Sequence, residues 1–307
     1  MLSRIVRGCL SSLALFALGG ATLRCSTERP EFTTPEDAGP PAPLVPTTAD
    51  ASDDAPGDAS SPLPEDCVGS EINQIFALSR YPDALYRFDP EALTFTLLGY
   101  LDCPSSGTFS MAVDRRGIAW ILFRSGVLVN VRLDTLQCTE VILNSMPSQL
   151  PSVFQFGMAF AADDSPAHES LFLIQDSLYR VDRTTRDMTR VGPTSLPGRA
   201  ELTGTDDGQL YGYATSNGVI AHLDKSTAGS IESYRTSVVG QSEFAFAQWG
   251  GDFWLFSGER SQPSGRTVAN VTRFSPVTGE SKEVLSDTGI HIVGAGSSTC
   301  APSKPVQ

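Results

Sequence analysis

Five residues of this 307-residue chain fall at one equivalent point of a recurring pattern: Ser110, Gly157, Glu201, Glu243 and His291. Two carboxylates and an imidazole brought together could bind a cation. They could also share acid and base roles, with pKa values pushed apart by proximity. If the pattern aligns these positions correctly, the two glutamates and the histidine lie within reach of one metal or substrate, about 10 Å across. The plainer outcome is a wet, acidic channel mouth that holds no ligand.

Other catalytic signatures are weak. No Gly-x-Ser-x-Gly elbow is present, and neither "GAGSS" nor "VGQSEF" supplies the strand-to-helix turn that such a nucleophile requires. His168-Glu169 starts like a zinc-protease helix, but no second histidine follows at the required distance and a strand-like "SLFLI" does. Gly294-x-Gly296 lies in a strand-like run with no helix after it, which argues against phosphate binding. Asp163-Asp164 and Asp206-Asp207 could be read as calcium ligands, but aspartates are ordinary hairpin-turn residues. There is no Cys-x-x-Cys pair, so a zinc or redox motif finds no support. No cofactor is implied, and the metal content of the site is unknown.

The elements that would position these residues are repeats. The stretch "LYRFDPEALTFTLLG" (85–99) returns as "LVNVRLDTLQCTEVIL" (128–143), "LYRVDRTTRDMTRVG" (178–192), "IAHLDKSTAGSIESY" (220–234) and "VTRFSPVTGESKEVL" (271–285). Apolar inner strands open near Phe109, Phe154, Ala200, Phe244 and Ile290, at intervals of 45, 46, 44 and 46 residues. Four strands per unit at this period predict a five-bladed β-propeller, all-β, over residues 67–307. Asp114-Arg115-Arg116-Gly117 and Asp206-Asp207-Gly208 sit between apolar runs as hairpin turns. Trp120, Phe123, Phe253 and Trp254 suit pleated, half-buried strands, and inter-blade packing accounts for Trp120 and Trp254. No stretch carries a long helical apolar period, so helix should be nearly absent.

The array starts and stops out of phase. It begins with a second strand, "INQIFALS" (72–79), and ends with an inner strand near 290–299. The two halves complete one blade, so the C-terminal inner strand should pair with the N-terminal strands and remove the open edges. Cys67 and Cys300 then meet where a hairpin would otherwise connect them, and a disulfide would replace that hairpin. Cys103 and Cys138 form either a second disulfide or two buried free thiols.

Disulfides call for an oxidising compartment. Arg4 and Arg7 precede an apolar run, Leu10 to Ala21, that is too short to span a bilayer as a stable helix. Residues 1–25 therefore read as a signal peptide. Cys25, followed by a long polar tether, resembles the lipidated cysteine of bacterial lipoproteins. The competing reading is ordinary cleavage after Gly19-Gly20-Ala21, which frees a soluble product. Residues 26–66 hold nine prolines, ten acidic residues and one base, Arg29, the composition of a disordered linker extended by self-repulsion. Of the chain's net charge of −13, the 67–307 domain carries −7, with no Lys/Arg cluster. That argues against nucleic acid, and against any membrane contact beyond a lipid anchor.

The strand, Asp-x-x-Gly turn and aromatic strand of "AVDRRGIAWIL" (112–122), with "LYRVD" (178–182), resembles the secreted bacterial propellers of the NHL-repeat, streptogramin-lyase and gluconolactonase-like groups. The resemblance implies the fold; those groups include metal-dependent lactonases and lyases as well as plain scaffolds. Two functions follow. One is an exported, envelope-tethered monomer that binds a protein or glycan at the channel mouth or serves as a scaffold. The other is an envelope hydrolase or lyase acting there on a carbohydrate, lactone or cell-wall fragment. The scarcity of placed titratable residues favours the first.

Overall fold

The computed structural model describes residue 67 and residues 70–144, 155–163, 168–260 and 267–306. Residues 1–25, read above as a signal peptide, residues 26–66, read as a linker, and Asp164 lie outside the described residues. Among the described residues, twenty strands form five four-stranded antiparallel sheets, the blades of a five-bladed β-propeller.

Blade 1 contains β1 (Ile75–Ser79), β2 (Ala84–Asp89) and β3 (Thr94–Tyr100), and blade 2 contains β4 (Thr108–Val113), β5 (Ile118–Phe123), β6 (Leu128–Arg132) and β7 (Cys138–Val141). Blade 3 contains β8 (Gly157–Ala162), β9 (Glu169–Ile174), β10 (Ser177–Val181) and β11 (Met188–Pro193). Blade 4 contains β12 (Ala200–Gly204), β13 (Leu210–Ala214), β14 (Val219–Leu223) and β15 (Ser230–Arg235). Blade 5 contains β16 (Glu243–Trp249), β17 (Asp252–Arg260), β18 (Thr267–Phe274) and β19 (Ser281–Leu285). The last strand, β20 (Ile292–Ser297), returns to blade 1 and pairs with β1, with Ala77 opposite Ala295. The inner strands β4, β8, β12, β16 and β20 follow one another around the channel.

Local chemistry explains the repeat. Asp89 ends the third strand of its blade and Asp182 and Asp224 directly follow theirs, and each Oδ1 accepts backbone N–H bonds from the second and third residues onward. Four residues after each aspartate the chain turns left-handed, at Leu93 (φ 54°), Arg186 (φ 62°) and Ala228 (φ 65°). Blade 5 makes the same turn with Ser275 and Gly279, where glycine adopts the positive φ without strain. In the β4–β5 hairpin, Asp114 Oδ1 accepts from the N–H groups of Arg116 and Ile118, and Gly117 supplies the positive φ.

The core is divided among the blade interfaces. Five buried apolar clusters each draw on two adjacent blades. Phe88 of blade 1 meets Trp254 and Phe256 of blade 5 edge-to-face, at centroid distances of 5.4 and 5.5 Å. Trp120 of blade 2 meets Phe160 of blade 3 at 5.9 Å. Both tryptophans do the packing expected of them. Gly294 and Gly296 let β20 approach β4: a Cβ on Gly294 would lie 3.0 Å from Met111 N.

Both disulfides form, Cys67–Cys300 with a Cα–Cα distance of 5.8 Å and Cys103–Cys138 at 5.5 Å. This settles the choice left open for the second pair. Near the first, the Ser298 hydroxyl donates to the Ile72 carbonyl. The same end of the channel carries a buried ionic cluster. Glu169 of blade 3 accepts from the Arg115 backbone N–H of blade 2, from Thr299 just past β20, and from Arg183. Arg115 Nε donates to Thr299 Oγ1 at 3.0 Å, so the cluster ties the final strand to blades 2 and 3.

Three boundaries differ from the sequence reading. Residues 70–73 form a short 3-10 turn, so β1 starts at Ile75 rather than Ile72. The inner strand of blade 3 is described from Gly157, with residues 151–154 outside the described set. Strand β20 starts at Ile292, because the Ile290 carbonyl is engaged by the Ala269 N–H.

Candidate functional site

All five aligned positions lie at the strand-start end of the channel, in two groups set by depth. Ser110 is the third residue of β4 and Glu201 the second of β12, so both side chains sit inside the ring. Ser110 Oγ donates to Glu201 Oε2 at 2.7 Å. Gly157 leaves the room for this: a Cβ there would come within 3.0 Å of Glu201 Oε2 and 2.2 Å of the Ala200 carbonyl oxygen. Glu201 is only 4% exposed. Burial pushes its carboxyl up to about 8, against the opposing pull of Ser110, the Arg199 charge and a Met158 backbone hydrogen bond. At neutral pH it is therefore mostly an uncharged acid.

Glu243 opens β16 and His291 precedes β20, which places both nearer the rim. Arg80, in the β1–β2 turn, joins them. Its guanidinium is buried and forms an ion pair with Glu243. Nη1 donates to the Thr108 carbonyl at 3.4 Å, and Nη2 is 3.5 Å from His291 Nε2. His291 Nε2 is 3.9 Å from Glu243 Oε1. Burial, followed by the Arg80 charge, pushes the His291 imidazole below its usual range, and Glu243 offsets part of this. The ring is thus neutral at physiological pH. The Tyr81 ring lies beside the group, 6.0 Å from the His291 ring centre. Tyr81 is 76% exposed, holds a left-handed φ of 61°, and its ring centre lies 5.6 Å from the Arg80 guanidinium carbon.

A cation shared by both glutamates and the histidine does not emerge from this arrangement. Arg80 already neutralises Glu243, and Glu201 is paired with Ser110. Among the described residues, no three His, Cys, Asp or Glu side chains are grouped to hold a metal.

A pocket of about 710 Å³ opens at this mouth beside blades 3 and 4. Phe109, Phe156, Ile174, Leu196 and Phe244 give it apolar walls, and Glu201 lies in its lining. Arg199 extends over the mouth, with its guanidinium carbon 5.0 Å from the Phe109 ring centre and 5.6 Å from that of Phe244. Sequence reasoning singled out neither Arg80 nor Arg199. The signal available was positional: Arg199 directly precedes an inner strand and Arg80 directly follows the strand hydrogen-bonded to one. Both are therefore mouth residues once the blades are phased.

The fold and this mouth define the class, a closed five-bladed propeller with a partly apolar pocket at one end of its channel. No protein-family model and no curated protein matches the chain. Among solved structures, a chain from a nidogen/laminin complex is similar, with a TM-score of 0.50 and 11% identity, over 76% of this chain and 82% of that one. Hydrazine synthase of Kuenenia stuttgartiensis gives 0.39 and 14%, over 66% and 60%. A protein of unknown function from Bacteroides caccae gives 0.47 and 7%, over 73% and 97%. At such identities the likeness is one of fold, and the nidogen/laminin chain alone among the three is close enough to carry it.

Proposed function

We propose that the chain is an exported, envelope-tethered binding module that takes a protein or glycan ligand at the strand-start mouth. The pocket of about 710 Å³ carries this reading: it falls within the size range of ligand sites, and its apolar walls surround a few converging polar groups. The Arg80–Glu243–His291 group beside it is held by mutual pairing, which suits a recognition surface better than proton transfer. Export rests on the leader, the acidic tether and two disulfides, which belong to an oxidising compartment. Among the described residues, no helix is long and apolar enough to cross a membrane. Lipidation at Cys25 and kinship with the NHL-repeat and gluconolactonase-like propellers complete the reading.

A thermal-shift screen of the purified protein against glycans, peptides and organic acids tests it. A ligand at a hundred times its Kd stabilises the fold by about 2.7 kcal/mol, a shift of several degrees. Thr194→Trp fills the pocket from its rim and should abolish the shift. Ligands that stabilise wild type and variant equally would place binding elsewhere.

A further inference from the structure

The side chains of the mouth pocket narrow the chemistry of what it can hold. Its walls are rings and aliphatic groups contributed by four blades: Phe109, Phe156, Ile174, Leu196 and Phe244. A guanidinium held against aromatic rings is weakly hydrated, and its planar fork matches a carboxylate bidentately. Arg199 is placed in this way against Phe109 and Phe244, and the carboxyl on which its charge acts is that of the buried Glu201. Its side chain is exposed at the mouth, where a ligand can reach its donors.

The acids nearby do little to cancel that charge. Glu201 is bonded to Ser110, is buried and remains protonated at neutral pH. Asp176 lies at the exposed rim, in the β9–β10 turn, where water screens it. Inside the pocket a negative group finds one cation and one neutral acid.

We propose that the group of its ligand which this pocket holds is a ring-bearing organic carboxylate, with its ring against Phe109, Phe156 and Phe244 and its carboxylate on Arg199. The proposal rests on the mouth being the ligand site, and it names the class of ligand.

Two matched probes test it on the full chain: 1-naphthaleneacetate and its neutral amide, titrated while the methyl resonances of Ile174 and Leu196 are followed. The acid should move both methyls and bind about tenfold more tightly than the amide, since hydrogen bonds to charged groups are worth that much. Arg199→Gln, a change at an exposed side chain, should bring the acid down to the affinity of the amide. Equal binding of acid and amide, or an acid affinity unaffected by Arg199→Gln, would overturn the carboxylate assignment and leave the mouth as a ligand site. Shifts elsewhere, with Ile174 and Leu196 silent, would overturn the mouth reading as well. No response to either probe would reject this ligand class, while the broad screen with Thr194→Trp would still judge the mouth itself.

Discussion

Replacing Glu201 by Gln should make the protein less sensitive to alkaline pH. The native carboxyl is pushed up to about 8 by burial, whereas an unfolded chain would titrate near 4.5. Between those values the folded state keeps a proton that the unfolded chain releases. Stability from this residue is therefore complete below pH 4.5 and is lost as pH climbs through 8. One pKa unit corresponds to about 1.36 kcal/mol, so the full swing is roughly 5 kcal/mol, of which about 4 falls between pH 5 and 9. Glutamine keeps an oxygen for the Ser110 hydroxyl and carries no charge, so the variant lacks this term. Urea denaturation at intervals from pH 5 to 9, followed by tryptophan fluorescence, gives the wild-type and variant curves. Their difference cancels the other titrating groups. It should grow in favour of Glu201→Gln by about 4 kcal/mol over that range. A difference that stays constant within about 1 kcal/mol would mean that Glu201 is solvated and charged, and the account of the mouth would fail.

Other consequences are as direct. Cys300→Ser removes a bond closing a 233-residue separation, worth about 5 kcal/mol at most in the chain-entropy account. A midpoint within one degree of wild type, or free thiols at both Cys67 and Cys300 in peptide maps, would contradict it. Gly157→Ala would drive a Cβ to 2.2 Å from the Ala200 carbonyl oxygen, so thermal denaturation should show a loss of about 1–3 kcal/mol. An unchanged melting point would show that β8 and β12 are not so closely packed. For Cys25→Ser, the expected outcome is a move from the membrane fraction to the soluble fraction on cell fractionation. Added protease should cut within 26–66 long before it cuts the blades. An unaltered distribution would exclude lipidation at Cys25.

The blades were legible in the sequence because everything that makes them is local. The turns that recur between the third and fourth strands depend on residues close in the chain: Asp89 with Leu93, Asp182 with Arg186, Asp224 with Ala228. Ring closure was legible as well, because the repeat began and ended out of phase and two cysteines flanked the gap. The mouth was legible only as a set of positions. Whether Glu243 faces a substrate or is neutralised depends on Arg80, 163 residues away in the chain, and the Glu201 carboxyl is held by Ser110 from 91 residues away. Arg199 meets its two phenylalanines only because blades 2 and 5 converge on blade 4 at the channel. Periodicity reports which strand a residue belongs to and which way it points. It does not report how deep the residue sits or which other blade displaces its water. Depth and neighbours set charge state and pairing, and the closed ring alone decides them.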